Sequence, residues 1–146
     1  MAITTNAIAN SFKKELLEGK HNFTQTTGDK YKLALYTSSA TLGASTTSYT
    51  TDNEVSASGQ YLAGGGALAV GSQQTSVASG VAIVDFADRS FTGVTITARG
   101  ALIYNTSNSD SAVAVLDFGG DKTATAGTFT IQFPAFTTSA AILRIS

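Results

Sequence analysis

The stretch Ala101-Leu102-Ile103-Tyr104-Asn105-Thr106-Ser107-Asn108-Ser109-Asp110-Ser111-Ala112-Val113-Ala114-Val115-Leu116-Asp117-Phe118 decides the fold class. Two short apolar runs flank a cluster of Asn, Ser and Asp. Runs of this length, rich in β-branched residues and bounded by turn formers, read as buried strands. Asn, Asp and Ser favour turns because their short side chains hydrogen-bond the local backbone.

Outward from this point the same signal recurs. Strands are expected at 81–86, 94–97, 101–104, 112–118, 128–133 and 140–145. A second turn cluster, Gly119-Gly120-Asp121, divides two of them. Upstream, Tyr31, Leu33 and Leu35 alternate with Lys32, Ala34 and Tyr36, the period-2 pattern of a half-buried strand. Gly64-Gly65-Gly66 sits between Tyr61-Leu62 and Leu68-Ala69-Val70 and reads as a bulge or bend. Residues 38–58 carry Tyr49 and Val55 in a Ser/Thr-rich setting and read as loops with one short strand. The single proline, Pro134, falls at a strand end, where a missing N–H does little harm. Many short strands with polar turns imply a mainly β fold, an antiparallel β-sandwich (jelly-roll-like) or a barrel.

Val81-Ala82-Ile83-Val84-Asp85-Phe86 is echoed by Val113-Ala114-Val115-Leu116-Asp117-Phe118. Two copies do not make a repeat array, which takes about three. The pair reads as two equivalent strands, each ending on an Asp that accepts from nearby backbone.

The N-terminal region has a different period. Ile8, Phe12 and Leu16 recur at i, i+4 and i+8, which lines them on one face of an amphipathic helix over about 6–18. Asn6 or Thr5 is the expected N-cap. Lys14 and Glu18 can pair across one turn, and Gly19 can close the helix in a left-handed conformation. The whole chain, 1–146, is read as one β-rich domain, with the sandwich over about 30–146.

Composition narrows the function. Charged residues make up 13% of the chain, against about 25% in ordinary soluble domains. Between Leu33 and Val84 only Asp52 and Glu54 are charged. A neutral Ser/Thr surface can be covered by a partner without stripping water from ions. That composition fits a protein buried in an assembly, although a soluble monomer with a Thr-rich β surface is the plain alternative. The net charge of −1 shows no electrostatic footprint for nucleic acid. No apolar run approaches the roughly 20 residues needed to cross a bilayer, and the opening residues lack the basic and apolar regions of a signal peptide.

Little chemistry is visible. There is no cysteine and one histidine, His21. His21 is expected to be exposed past the helix end, where the helix dipole favours it. Asp85 with Asp88, or Asp117 with Asp121, could outline a weak cation site, but neither segment has the alternating oxygen ligands of a calcium loop. Turn-stabilising roles are favoured. The triple glycine lacks the Lys-Ser/Thr and helix of a phosphate loop. Arg99 is expected in a structural ion pair or facing a partner. The five tyrosines (31, 36, 49, 61 and 104) could stack on sugars, but strand-like spacing favours core edges and interfaces. No catalytic, cofactor or metal residues are expected, and the chain is read as non-enzymatic.

Four stretches carry a family resemblance: Thr5-Asn6-Ala7-Ile8-Ala9-Asn10-Ser11-Phe12-Lys13-Lys14-Glu15-Leu16-Leu17-Glu18-Gly19, Tyr31-Lys32-Leu33-Ala34-Leu35-Tyr36-Thr37, Ala98-Arg99-Gly100-Ala101-Leu102-Ile103-Tyr104-Asn105 and Ala112-Val113-Ala114-Val115-Leu116-Asp117-Phe118-Gly119. Together they resemble a family of small structural proteins of tailed-phage virions, abundant among phages of aquatic bacteria. The resemblance implies a capsid decoration, or cement, protein on the virion's capsid surface. Its implied partners are the major capsid protein and further copies of itself, as a dimer or trimer, with no nucleic acid and no membrane. A tail or fibre component binding a host-surface glycan is the alternative. Phe12, Lys13, Lys14, Lys20, Tyr49, Tyr61 and Arg99 are the expected partner-facing residues.

Overall fold

In the computed structural model, which describes residues 3–69 and 75–146, the chain is mainly β. It has two antiparallel sheets and one short helix. The elements are β1 (Ala7–Ile8), α1 (Asn10–Leu17), β2 (Tyr31–Tyr36), β3 (Gly66–Leu68), β4 (Thr75–Ala78), β5 (Val81–Val84), β6 (Arg89–Asn105), β7 (Ser111–Ile131) and β8 (Leu143–Ile145). The larger sheet has the order β1-β7-β6-β2-β3, and the smaller has β4-β5-β8. Val70, expected in a strand, lies outside the described residues.

The decisive stretch folds into the tip of a long β6–β7 hairpin, paired from Arg89↔Ile131 to Asn105↔Ser111. The turn clusters at its tip behave as their chemistry predicts. Ser107 N donates to Asn105 Oδ1 at 2.9 Å, and Ser111 N donates to Asn108 O at 3.0 Å.

Two expected strand breaks do not occur. The segments 94–97 and 101–104 are one strand, and so are 112–118 and 128–131, with Gln132 and Phe133 beyond the strand end. The pairs Ala98↔Lys122 and Gly100↔Asp117 leave residues 118–121 opposite Arg99 alone. Gly119-Gly120-Asp121 is therefore part of a wide bulge, not a chain reversal. Gly119 takes φ +77° there, and the extra residues bend the strand without ending its ladder.

The bulges divide the hairpin into two halves with different burial. Near the tip, residues 100–105 and 112–115 are buried on both faces. Residues 38–58 wrap this half, through Ala112 N to Thr47 O (3.0 Å) and Tyr49 N to Asp110 O (2.9 Å). That segment makes isolated bridges at Ser48 and Glu54 rather than a strand. Farther out, β6 buries Phe91, Val94, Ile96 and Ala98 and exposes the alternate residues, as a half-covered strand should.

The helix starts later than its apolar spacing predicts. Ala7 and Ile8 pair with Val115 and Ala114 on β7, and Ala9 N donates to Val113 O at 3.0 Å. Strand pairing captures these residues, so Ile8 is not helical. Ala9 occupies the N-cap without a side-chain cap. Asn6 instead accepts from Asp117 N at 2.7 Å. The C-terminus is as expected: Gly19 has φ +72°. Lys20 N to Glu15 O and Gly19 N to Leu16 O complete the paired bonds of a Schellman motif.

A row of aromatic rings ties the helix and both sheets together. Phe12 meets Phe23 edge-on (6.1 Å between centroids), and Phe23 stacks on Tyr31 (4.6 Å). Tyr31 contacts Phe86 (5.8 Å), and Phe86 contacts Phe133 (5.8 Å). Phe12 is thus the helix's anchor in the chain's own core and is not a partner-facing residue. Phe12→Ala is expected to lower unfolding free energy by about 3–5 kcal/mol, read by urea denaturation. A loss under about 1 kcal/mol would show that the helix is not anchored through this ring.

Candidate functional site

Among the described residues, polar side chains assemble into two interior networks, and the exposed surface includes an uncharged face and a long open edge along β7.

The first network centres on Glu54. Its carboxylate accepts from Tyr49 Oη (2.6 Å), Tyr61 Oη (2.8 Å) and Gly64 N (2.7 Å). Tyr61 is fully buried, and its hydroxyl also accepts from Leu35 N at 2.8 Å. Tyr49 stacks on Tyr104 with centroids 4.7 Å apart, and Tyr104 Oη donates to Gly64 O at 2.6 Å. Burial raises the pKa of all of these phenols, Tyr104's to about 12. Gly65, with φ +78°, runs so close to β2 that a Cβ would lie 1.8 Å from Leu33 O. The triple glycine therefore serves backbone approach. Tyr61 is a core plug, so its expected place at a partner interface is corrected.

The second network centres on His21, which is buried rather than exposed. Asn105 Nδ2 lies 3.0 Å from His21 Nδ1 and 2.7 Å from Asp29 Oδ2. Nδ1 accepting from Asn105 assigns the proton to Nε2, which lies 2.7 Å from Glu15 Oε2. The ring packs on Phe12 at 4.7 Å. His21 fastens the helix to the hairpin tip. Asn105 reaches His21 from 84 positions along the chain, and His21's neighbours in sequence give no sign of that partner.

The other singled-out residues have local roles. Lys14 and Lys20 share Glu18 at 3.1 and 2.9 Å, and Lys13 reaches Asn10 Oδ1 at 3.4 Å. All three lysines are exposed. Such exposed pairs add little stability. Arg99 joins Asp117 at 3.2 Å and donates to Ile3 O at 3.0 Å, spanning the bulge. The aspartates serve as backbone acceptors: Asp85 for Phe86 N, Asp88 for Phe133 N and Asp117 for Gly119 N. Among the described residues no group of three or more His, Asp or Glu is placed to hold a metal. Among the described residues no helix is long and apolar enough to cross a membrane.

The uncharged face lies on the outer half of the hairpin. Ser90 and Thr130 hydroxyls are 2.8 Å apart across the strands, as are those of Thr97 and Thr123. Thr95 Oγ1 accepts from Ala126 N at 3.0 Å. These hydroxyls are exposed and held by cross-strand bonds, four of them in side-chain pairs.

The open edge is the outer side of β7. β1 pairs with it only at Val115 and Ala114, and no described strand pairs there from 118 to 131. A groove of about 780 Å³ runs beside it, with walls from 6–8 and 132–144. The corresponding edge of β6 is covered, because Gln60 exchanges bonds with Thr92 N and O, and Ser58 Oγ accepts from Thr95 N.

Comparison with family models, with curated proteins and with solved structures finds no match to this chain.

Two substitutions test the Glu54 network and the buried Asp85. Glu54→Ala strands two phenols and a backbone N–H, and is expected to cost about 2–4 kcal/mol in unfolding free energy. Asp85 is desolvated, which raises its pKa above the usual carboxylate value, and Asp88 adds to the effect. The folded state then holds the proton more tightly than the unfolded state, so stability falls as pH rises through that window. Asp85→Asn keeps an acceptor for Phe86 N and removes the ionisation. It is expected to be more stable than the parent at pH 7, with the gain vanishing below the ordinary aspartate pKa. Equal stability at both pH values would refute this account of Asp85.

Proposed function

We propose that this chain is a virion structural protein of the capsid-decoration kind, which stabilises a phage head by bridging capsid subunits without covalent chemistry. The observation that carries the proposal is the uncharged hydroxyl face of the outer hairpin. Ser90 with Thr130 and Thr97 with Thr123 present paired hydroxyls, and Thr95 bonds the Ala126 backbone; the only charges on 89–98 and 122–131 are Arg89 and Lys122 at their ends. Covering such a face removes little charge from water, while its hydroxyls keep partners within the sheet. The resemblance to tailed-phage virion proteins supplies the kind of assembly.

The glycan-binding alternative draws on exposed aromatic platforms, and the tyrosines do not form one. Tyr31, Tyr36, Tyr61 and Tyr104 are buried, and Tyr49 is half-buried against Tyr104.

The test is the copy number of this protein in purified particles, by quantitative mass spectrometry against the major capsid protein. Decoration predicts a ratio comparable to that of the capsid protein. A handful of copies per particle would reject decoration and place the chain on the tail.

A further inference from the structure

We propose that the groove along β7 receives an extended peptide segment carrying an acidic side chain, which adds as a strand to the open β7 edge. The inference rests on the assembly reading only for where that segment comes from.

Three observations carry it. The first is the unpaired backbone. From 118 to 131 the outer side of β7 has no described strand partner, and only another extended backbone matches a row of strand N–H and C=O groups. Natural edges are usually guarded by charge, proline or a covering loop. β6 has such a cover in Ser58 and Gln60. Along 118–131, β7 has no proline and its only charges are the adjacent Asp121 and Lys122, which leaves 123–131 unguarded.

The second is the groove's lining. Ile8, Leu116, Phe118, Phe129, Ile131 and Phe133 contribute to it. Ile8, Leu116 and Phe118 are only partly buried by the chain itself. A strand sends alternate side chains to one face, so an occupant with apolar residues at every second position fits this lining.

The third is charge. Lys122 and Arg144 both line the groove, are exposed and make no ion pair among the described residues. Arg144 donates only to the carbonyls of Thr138 and Ser139. The groove's one carboxylate, Asp117, is held by Arg99. The groove is thus cationic in a chain whose net charge is −1, and a carboxylate on the incoming strand complements it. That charge favours an acidic segment over β7 of a second copy, whose 118–131 edge carries Asp121 and Lys122 side by side and so brings no net negative charge.

The test is an NMR titration of the labelled full chain with a capped octapeptide of alternating valine and threonine carrying one glutamate. Two control peptides carry lysine in place of the glutamate, or N-methyl groups at alternate residues. Amide shifts and exchange protection are expected along 116–131. Binding should weaken at least tenfold with lysine and at least tenfold with N-methylation. The double variant Lys122→Glu with Arg144→Glu, both exposed, should reverse the preference so that the lysine peptide binds better. The proposal is overturned by no binding at millimolar peptide, by shifts elsewhere, or by affinity indifferent to N-methylation. A chain that dimerises alone in sedimentation with 122–131 protected overturns it too, since the occupant is then a second copy. A chain present at capsid-like number in particles yet failing the titration keeps the assembly reading and loses this one.

Discussion

The pairing of β6 with β7 is the constraint on which the rest depends. Its register makes one hairpin with two environments. Near the tip, both faces are covered and the strands read as continuous apolar runs. Beyond the bulge opposite Arg99, one face is covered and the pattern alternates. The bulge sets this boundary. Three extra residues on β7 shift its register against β6, and Arg99 pins the distortion by pairing with Asp117 and binding Ile3 O. β1, α1 and the 38–58 segment all dock on the doubly covered half.

Polar groups hold the loops to this frame. Segment 38–66 has little regular structure, and its apolar content is modest, so burial alone does not specify its path. Glu54 does so by collecting three donors from Tyr49, Tyr61 and Gly64. Each is costly to leave unpaired once water is excluded. Asn105 plays the matching part at the hairpin tip, where it joins His21, Asp29 and the Ser107 backbone. Buried polar networks are demanding when incomplete and specific when complete, so these two select one loop path among many of similar hydrophobic content.

How far the fold is legible in the sequence follows from the range of each interaction. Apolar runs at 101–104 and 112–116, the Asn/Ser turn between them and the Gly19 helix stop depend on neighbours in sequence, and all three are as the residues predict. The Gly119-Gly120-Asp121 break is not legible. Glycine and aspartate serve a chain reversal and a bulge equally well, and the choice is made by β6, which still offers partners on the far side. Asn6 misleads for a similar reason, because a good capping side chain is equally good at capping a strand edge. Tyr61 and His21 look like surface residues since their partners come from elsewhere in the chain. The uncharged character of the outer hairpin is plain in the sequence, but the alignment of its hydroxyls follows from the strand register. The open edge of β7 is not legible, because it depends on which strands fail to reach it.

The two edges of the outer hairpin differ in a way that bears on assembly. A two-stranded ribbon exposes backbone on both sides, and a chain selected only to stay soluble has reason to guard both. Here the β6 side is occupied by Ser58 and Gln60, whose turn is tight enough that a Cβ on Gly59 would lie 2.1 Å from Gly93 O. The β7 side has β1 for two residues and then an apolar groove with unpaired cations. Unpaired backbone, apolar lining and uncompensated charge coincide on one side of one strand, and each is costly or hazardous in an isolated monomer. A single occupant, an extended backbone with alternating apolar side chains and a carboxylate, relieves all three at once. That economy is the physical case for reading this edge as an unfinished sheet.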